Sequence, residues 1–142
     1  MRAWRLCRRP FADLSGEGAR RHGGRWNSPG QAMVYAASSA ALAVLEVRVH
    51  LDLPFDLLPA DYVLTEIDLG GLDVESVATI PADPAAFGDA WLAERRTPLL
   101  RVPSLIVPES ANLLLNPAHP QAPAATVVGV RDFAFDRRLW LP

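Results

Sequence analysis

Thirteen prolines, from Pro10 to Pro142, are spread through this 142-residue chain. Each fixes its own φ and removes an amide hydrogen, so each interrupts a helix interior or a central strand. The chain is thereby held to many short, sharply bounded segments. Half of its residues are hydrophobic and 21% are charged, which is ordinary globular usage and excludes disordered or collagen-like chains. A chain of this length buries roughly 70% of the surface its unfolded form exposes, enough for one core, so a single domain over 1–142 is expected. No run approaches the roughly 18 apolar residues of a membrane span, and the four arginines of the first ten residues precede no apolar segment. The expectation is a cytoplasmic protein with no membrane association. Cys7, the one cysteine, rules out an internal disulfide framework and a CxxC-type zinc site.

Between the prolines the patterns change repeatedly. Residues 3–8 suggest a short strand with Trp4 and Leu6 on one face, and residues 33–36 a brief buried one. Residues 14–30 hold five glycines and Pro29, which predicts irregular, shaped backbone. Ser38 or Ser39 can N-cap a helix running to about His50. Residues 62–69 alternate apolar and polar, as a half-buried strand does. Asp83-Pro84 opens a second helix ending near Arg96. Strand character returns at 99–107, interrupted by Pro103, then a Pro/Asn-rich loop is expected over 111–123 and a last strand over 126–131. Strands with few helices, and no regular βαβ alternation, predict an α+β fold.

Charge is unevenly placed. All fourteen basic residues are arginine, and residues 1–25 carry seven of them against Asp13 and Glu17. The other seven face fourteen acids. A local arginine surplus on an acidic protein suits a small anion such as a phosphate better than a nucleic-acid track, although a solvated basic face has the same arithmetic. The segment Gly23-Gly-Arg-Trp-Asn27 joins compliant backbone to a guanidinium fork and an indole. Arg25 matches phosphate oxygens, and Trp26 with Tyr35 offers rings that stack on a flat group; the same tripeptide also serves structural turns. It is neither a P-loop nor a dinucleotide fingerprint. On the helix after Ser39, Glu46 shares a side with Leu42, Leu45 and Val49. A carboxylate there either pairs with an arginine or lines a cleft, because an unpaired buried charge costs several kcal/mol, roughly. His22, His50 and His119 lack paired metal-ligand spacing. Ser104 and Ser110 sit in no GxSxG elbow, and Cys7 reads as a small core residue rather than a nucleophile.

Several of these pieces, taken in order, resemble one family. Trp4-Arg5-Leu6, Gly16-Glu-Gly-Ala-Arg20, Gly23-Gly-Arg-Trp-Asn27, Val34-Tyr-Ala36 and Leu42-Ala-Val-Leu-Glu46 are similar to segments of the RES-domain toxins. So are Val102-Pro-Ser104 with Val107-Pro108, then Asn112, Leu115-Asn-Pro117, His119-Pro120 and the closing Phe133-Ala-Phe-Asp-Arg-Arg-Leu139. The likeness covers essentially the whole chain. Trp4 stands where many relatives have tyrosine.

The resemblance implies a compact fold related to ADP-ribosyltransferase toxins that acts on NAD⁺ as substrate, with no separate cofactor or metal. It assigns the catalytic arginine, glutamate and serine to Arg25, Glu46 and Ser104, and places Arg5, Tyr35, Trp26 and Asn112 among the NAD-binding positions. It further implies an Xre-like helix-turn-helix antitoxin that binds DNA and blocks the cleft, in a hetero-oligomeric complex, the toxin itself touching no nucleic acid. Expulsion of neutral nicotinamide from a cationic pyridinium needs little acid assistance, so positioning and stabilisation of an oxocarbenium-like ribose are what such a site must supply. Arg5 and Arg25 would hold the pyrophosphate, Tyr35 the nicotinamide or its ribose, and Glu46 would face the anomeric carbon. Ser104 would orient the ribose or Glu46. NAD⁺ degradation by water or phosphate is the expected reaction, with mono-ADP-ribosylation of a protein as the alternative. Transferases often carry a second carboxylate two residues before the catalytic one, and here that residue is Val44. A non-catalytic module binding a nucleotide or the antitoxin is the remaining reading.

Overall fold

A computed structural model describes residues 1–142. Seven strands form one mixed sheet: β1 Arg2–Arg8, β2 Val34–Ala37, β3 Tyr62–Asp68, β4 Val74–Ser76, β5 Leu99–Pro103, β6 Ala111–Leu115 and β7 Thr126–Asp132. Their order across the sheet is β4-β5-β6-β2-β1-β3-β7, and only the β4–β5 pair is parallel. Three helices accompany them, α1 Glu17–His22, α2 Ala40–Arg48 and α3 Pro84–Glu94. The architecture is α+β, as the proline-bounded mixture of patterns predicts. No helix is long and apolar enough to cross a membrane.

The helix starts follow from local chemistry. Ser39 caps α2, its Oγ accepting from the Leu42 amide at 3.1 Å. Asp83 caps α3 by accepting from Ala86 at 3.0 Å, with Pro84 in the first turn where its missing amide hydrogen costs nothing.

The 111–123 segment is not a loop throughout. Ala111–Leu115 is β6, in the middle of the sheet, and all its residues but Asn112 are buried. Leu113 and Leu115 pack in one apolar cluster with Val34 and Ile67, while Leu114 packs in another with Trp26, Met33 and Trp91. A strand covered on both faces loses the apolar–polar alternation that marks a half-buried one, so its flanking Asn and Pro residues dominated the pattern. Likewise α1 lies within the glycine-rich stretch. Strand character after Leu99 stops at Pro103, and β4 is too short to leave a pattern.

One join in the sheet prepares the site. β1 and β3 pair along their full lengths, and β2 pairs with β6 through four residues, but β1 meets β2 only at Trp4↔Ala37. Two sheet halves therefore diverge from a single contact. Helix α2 and the segment from Phe11 to Met33 border the opening between them.

Candidate active site

A cavity of about 480 Å³ occupies that opening, with Trp4, Arg5, Leu6 and Cys7 of β1 on one side and Tyr35, Ala36 and Ala37 of β2 on the other. Its remaining wall includes Arg25, Trp26, Glu46, His22, His50 and Asn112. Six of the seven residues that sequence reasoning assigned to the site thus line one space. Ser104 is the seventh; it lies behind the wall and touches Glu46.

Glu46 sits on the inward stripe of α2. That stripe is Leu42, Ala43, Glu46 and Val47. Leu42 is on it as expected, but Leu45 is 36% and Val49 56% exposed, so the apolar face is rotated from the one read in the sequence. Leu42 and Ala43 pack against Leu6 and Ala37 of the sheet, and Leu45 and Val49 turn outward. No arginine pairs with Glu46; two neutral donors hold it. The Ser104 hydroxyl donates to Oε1 at 2.7 Å and the Asn112 amide donates to the same oxygen at 2.9 Å. Topology brings them together across 58 and 66 residues. Asn112 of β6 lies in register between Ala37 of β2 and Val102 of β5, and Ser104 follows the end of β5 directly. Oε2 receives no hydrogen bond from the protein, and it is not sealed from the cavity.

Ser104 is 1% exposed. Its Oγ accepts from the Ile106 and Val107 amides, both at 3.1 Å, while its proton goes to Glu46. With donor and both lone pairs engaged, this hydroxyl orients Glu46 and has no free valence for attack on a substrate.

Eight of the fourteen arginines are held by carboxylates, and of the six that are not, only Arg5 and Arg25 line the cavity. Arg2, Arg8, Arg9, Arg20, Arg21, Arg96, Arg137 and Arg138 are paired with carboxylates. Arg5 and Arg25 have no such partner. Arg5 donates to the backbone carbonyls of Phe11 and Asp13, contacts that aim the guanidinium without neutralising it. Arg25 is exposed on the cavity wall. Two uncompensated forks facing one cavity make a place for an anion with several oxygens.

The segment carrying Arg25 is tied at three points. The buried Asn27 side chain donates to the carbonyls of Ala19 and Gln31 at 3.0 and 2.9 Å. Its Oδ1 accepts from the Tyr35 hydroxyl at 2.5 Å, and that hydroxyl accepts from the Trp26 amide at 3.0 Å. Asp89 of α3 accepts from the Ser28 amide and hydroxyl at 2.9 and 2.6 Å. Two glycines permit these approaches. A Cβ on Gly24 would stand 2.6 Å from the Tyr35 hydroxyl, and one on Gly88 only 1.7 Å from the Trp26 carbonyl oxygen. Burial pushes the Tyr35 phenol up to about 12, so it remains a proton donor to Asn27. The Trp26 indole is 3% exposed and stands edge-on to Phe87; it forms part of the wall, with no open face to stack on a ring. Tyr35, half-buried, keeps its ring on the cavity.

Sequence reasoning weighed His22 and His50 only as metal ligands, yet both line the cavity. His50 had a legible signal: it follows Glu46 by one helical turn. Its Nδ1 lies 2.7 Å from the Glu46 carbonyl oxygen. Asn27 and Asp89 were also missed as ties, because their partners are distant in sequence or are backbone groups.

The chain is similar to known proteins at several levels of identity. The chain is 46% identical over 141 residues to the Prs ADP-ribosylating toxin of Sphingobium sp. strain YBL2, covering 89% of this chain and 86% of that one. It is 40% identical over 147 residues to a Toxin Res of Pseudomonas putida, covering 96% and 98%. With the NAD(+) phosphorylase MbcT of Mycobacterium tuberculosis it shares 38% identity over 90 residues, 55% of this chain and 48% of that one. The crystal structure of the M. tuberculosis MbcT–MbcA toxin–antitoxin complex matches the fold with a TM-score of 0.78 at 25% identity, over 94% of this chain and 84% of that one. The model of the RES domain matches residues 2–138, and the chain belongs to the RES domain family.

Proposed function

We propose that this chain is the toxin of a toxin–antitoxin pair, and that it cleaves the bond between nicotinamide and ribose in NAD⁺. The observation that carries the reading is the pairing, in one cavity, of two uncompensated guanidiniums with a carboxylate held by one oxygen only. Arg5 and Arg25 suit the pyrophosphate, the Tyr35 ring borders the nicotinamide ribose, and Oε2 of Glu46 is left to face positive charge developing at the anomeric carbon. NAD⁺ enters as substrate and the reaction needs no metal or further cofactor. Ser104 and Asn112 act through Glu46 by fixing its oxygen. Drawing down NAD⁺ in the cytoplasm would arrest growth, and an antitoxin of the Xre type, with a helix-turn-helix and a segment closing the cleft, would hold the toxin silent in a hetero-oligomer. The names of the relatives, an NAD(+) phosphorylase among them, support the substrate.

Transfer of ADP-ribose to a protein is the second reading, favoured by the name of the Sphingobium relative. Against it stands Val44, half-buried beside the apolar cluster of α2, where an acceptor-activating carboxylate would be expected.

Nicotinamide release from NAD⁺ by the purified chain, with products identified by mass spectrometry, tests the reading. Release is expected, and Glu46→Gln, which keeps an oxygen for Ser104 and Asn112 but loses the charge, should lower the rate about 10²–10³-fold. A parental rate in Glu46→Gln would remove Glu46 from its role. No release, with ADP-ribosylated peptides in a treated lysate, would turn the reading to protein modification.

A further inference from the structure

Glu46 marks the reacting end of the site. Besides the large cavity it borders a smaller space of about 250 Å³, and the two share Arg25, Trp26, Glu46, His50 and Asn112. Helix α1 lies elsewhere on the wall. It contributes Gly18, Ala19 and His22 to the large cavity and nothing to the smaller one. Arg25 follows the end of α1 by three residues. A dinucleotide with its nicotinamide ribose at Glu46 and its pyrophosphate at Arg25 therefore turns its adenosine half toward α1.

The charge on that side has one sign. Among all the side chains that line the large cavity, Glu46 is the only acid. His22 is exposed at the mouth. Elsewhere on α1 the Glu17 carboxylate is shared between Arg20 and Arg21, two guanidiniums against one acid, which leaves one net positive charge. A site that selects NAD⁺ over NADP⁺ sets a carboxylate on the 2′-hydroxyl of the adenosine ribose, where it accepts from the hydroxyl and repels a phosphate; a site for NADP⁺ sets a cation there. The selecting carboxylate is missing, since Glu46 faces the other ribose across the pyrophosphate. The positive field is present, and at an exposed mouth a phosphate keeps part of its water.

Resting on the NAD⁺-cleavage reading above, we propose that the cavity takes NADP⁺ as well as NAD⁺, with the 2′-phosphate at the α1 mouth beside His22. The extra group lies across the pyrophosphate from the bond that breaks, so the chemistry is unchanged. The C–N bond of the nicotinamide ribose gives its electron pair to the ring nitrogen, and nicotinamide leaves neutral. With water as acceptor, its oxygen bonds to the same carbon and a proton is released. The product is 2′-phospho-ADP-ribose, and nothing is oxidised or reduced. One site then consumes both dinucleotides.

Nicotinamide release from each dinucleotide by the intact chain is the first test. The value of kcat/KM for NADP⁺ is expected within about tenfold of that for NAD⁺, and cleavage of NAD⁺ with a wider gap overturns the proposal. Two charge changes on α1 test the placement. His22→Glu sets a carboxylate at the mouth, and Arg21→Glu reverses a charge on a side chain outside the cavity wall. The first should lower the ratio of kcat/KM for NADP⁺ to that for NAD⁺ roughly tenfold and the second about threefold, both less at high salt. An unchanged ratio in both variants overturns the placement and the proposal with it. Calorimetry with ADP-ribose and 2′-phospho-ADP-ribose as probes reads binding without turnover. Dissociation constants within about tenfold of each other support the site, whereas weaker binding of the phosphorylated probe than that overturns it. If neither dinucleotide is cleaved yet both probes bind alike, the cleavage reading fails and the breadth of the nucleotide site stands.

Discussion

Ser104→Ala separates a residue that orients the site from one that reacts. The substitution removes the shorter of the two hydrogen bonds to Oε1 of Glu46, 2.7 Å from Ser104 against 2.9 Å from Asn112. A hydrogen bond to an ionised group contributes about 1.5–3 kcal/mol. Because Asn112 still holds the same oxygen, the lower end of that range applies. If the whole of it is lost from the transition state, kcat falls about ten- to thirtyfold, since about 1.4 kcal/mol is tenfold in rate. KM for NAD⁺ should move little, because Ser104 lines neither cavity. The same change leaves the Ile106 and Val107 amides without their acceptor. Ile106 is 38% exposed, so water replaces part of the loss, and a cost of about 1–2 kcal/mol, or a Tm lower by about 3–8 °C, is expected. Steady-state nicotinamide release, with thermal unfolding followed by circular dichroism, measures both. A rate within twofold of the parent beside a lowered Tm would mean that the serine only ties its own loop. An ADP-ribosyl adduct on Ser104 in the parent protein would refute the positioning role outright.

Other perturbations address the segment that carries the arginine. Gly88→Ala puts a methyl 1.7 Å from the Trp26 carbonyl oxygen, so α3 must lift from the segment; a loss of about 3 kcal/mol or more and a parallel loss of NAD⁺ cleavage are expected, and an unchanged Tm would contradict the packing. Arg25→Lys keeps the charge but loses the fork, and should raise KM for NAD⁺ about tenfold with a smaller change in kcat; an unchanged KM would place the pyrophosphate elsewhere. Tyr35 stays protonated to about 12 in the fold because burial disfavours its phenolate, while in the unfolded chain it ionises near the ordinary phenol value of 10.0. The native state therefore binds more protons between those values, and the stability this group contributes is complete below pH 10 and lost as pH rises toward 12. Tyr35→Phe should flatten that part of an alkaline denaturation curve, and an identical curve would remove Tyr35 as its source.

Much of the fold was legible because local rules were obeyed. Ser39 and Asp83-Pro84 announced α2 and α3, and the alternation over residues 62–69 announced β3, since each signal depends only on neighbours in the chain. Glu46 was legible for the opposite reason: a carboxylate on the same side of a helix as Leu42 breaks the rule that charges face water, and such breaks gather at functional sites. What stayed hidden depended on partners far along the chain. Ala111–Leu115 lost its strand pattern because both faces are buried, and Leu45 and Val49 turn outward because the angle at which α2 meets the sheet is a tertiary quantity that helical periodicity does not contain.

The sequence by itself determined the proline-bounded α+β segmentation, the arginine surplus of the first 25 residues and the motif order that resembles the RES domain, all of which are properties of residue type and spacing. Only the tertiary structure decided which arginines remain unpaired, that Ser104 and Asn112 converge on one oxygen of Glu46, and that His50 stands beside both cavities. These depend on where β2 leaves β1 after their single contact at Trp4 and Ala37. That divergence sets a space between groups whose separation in the chain carries no record of their distance in the fold.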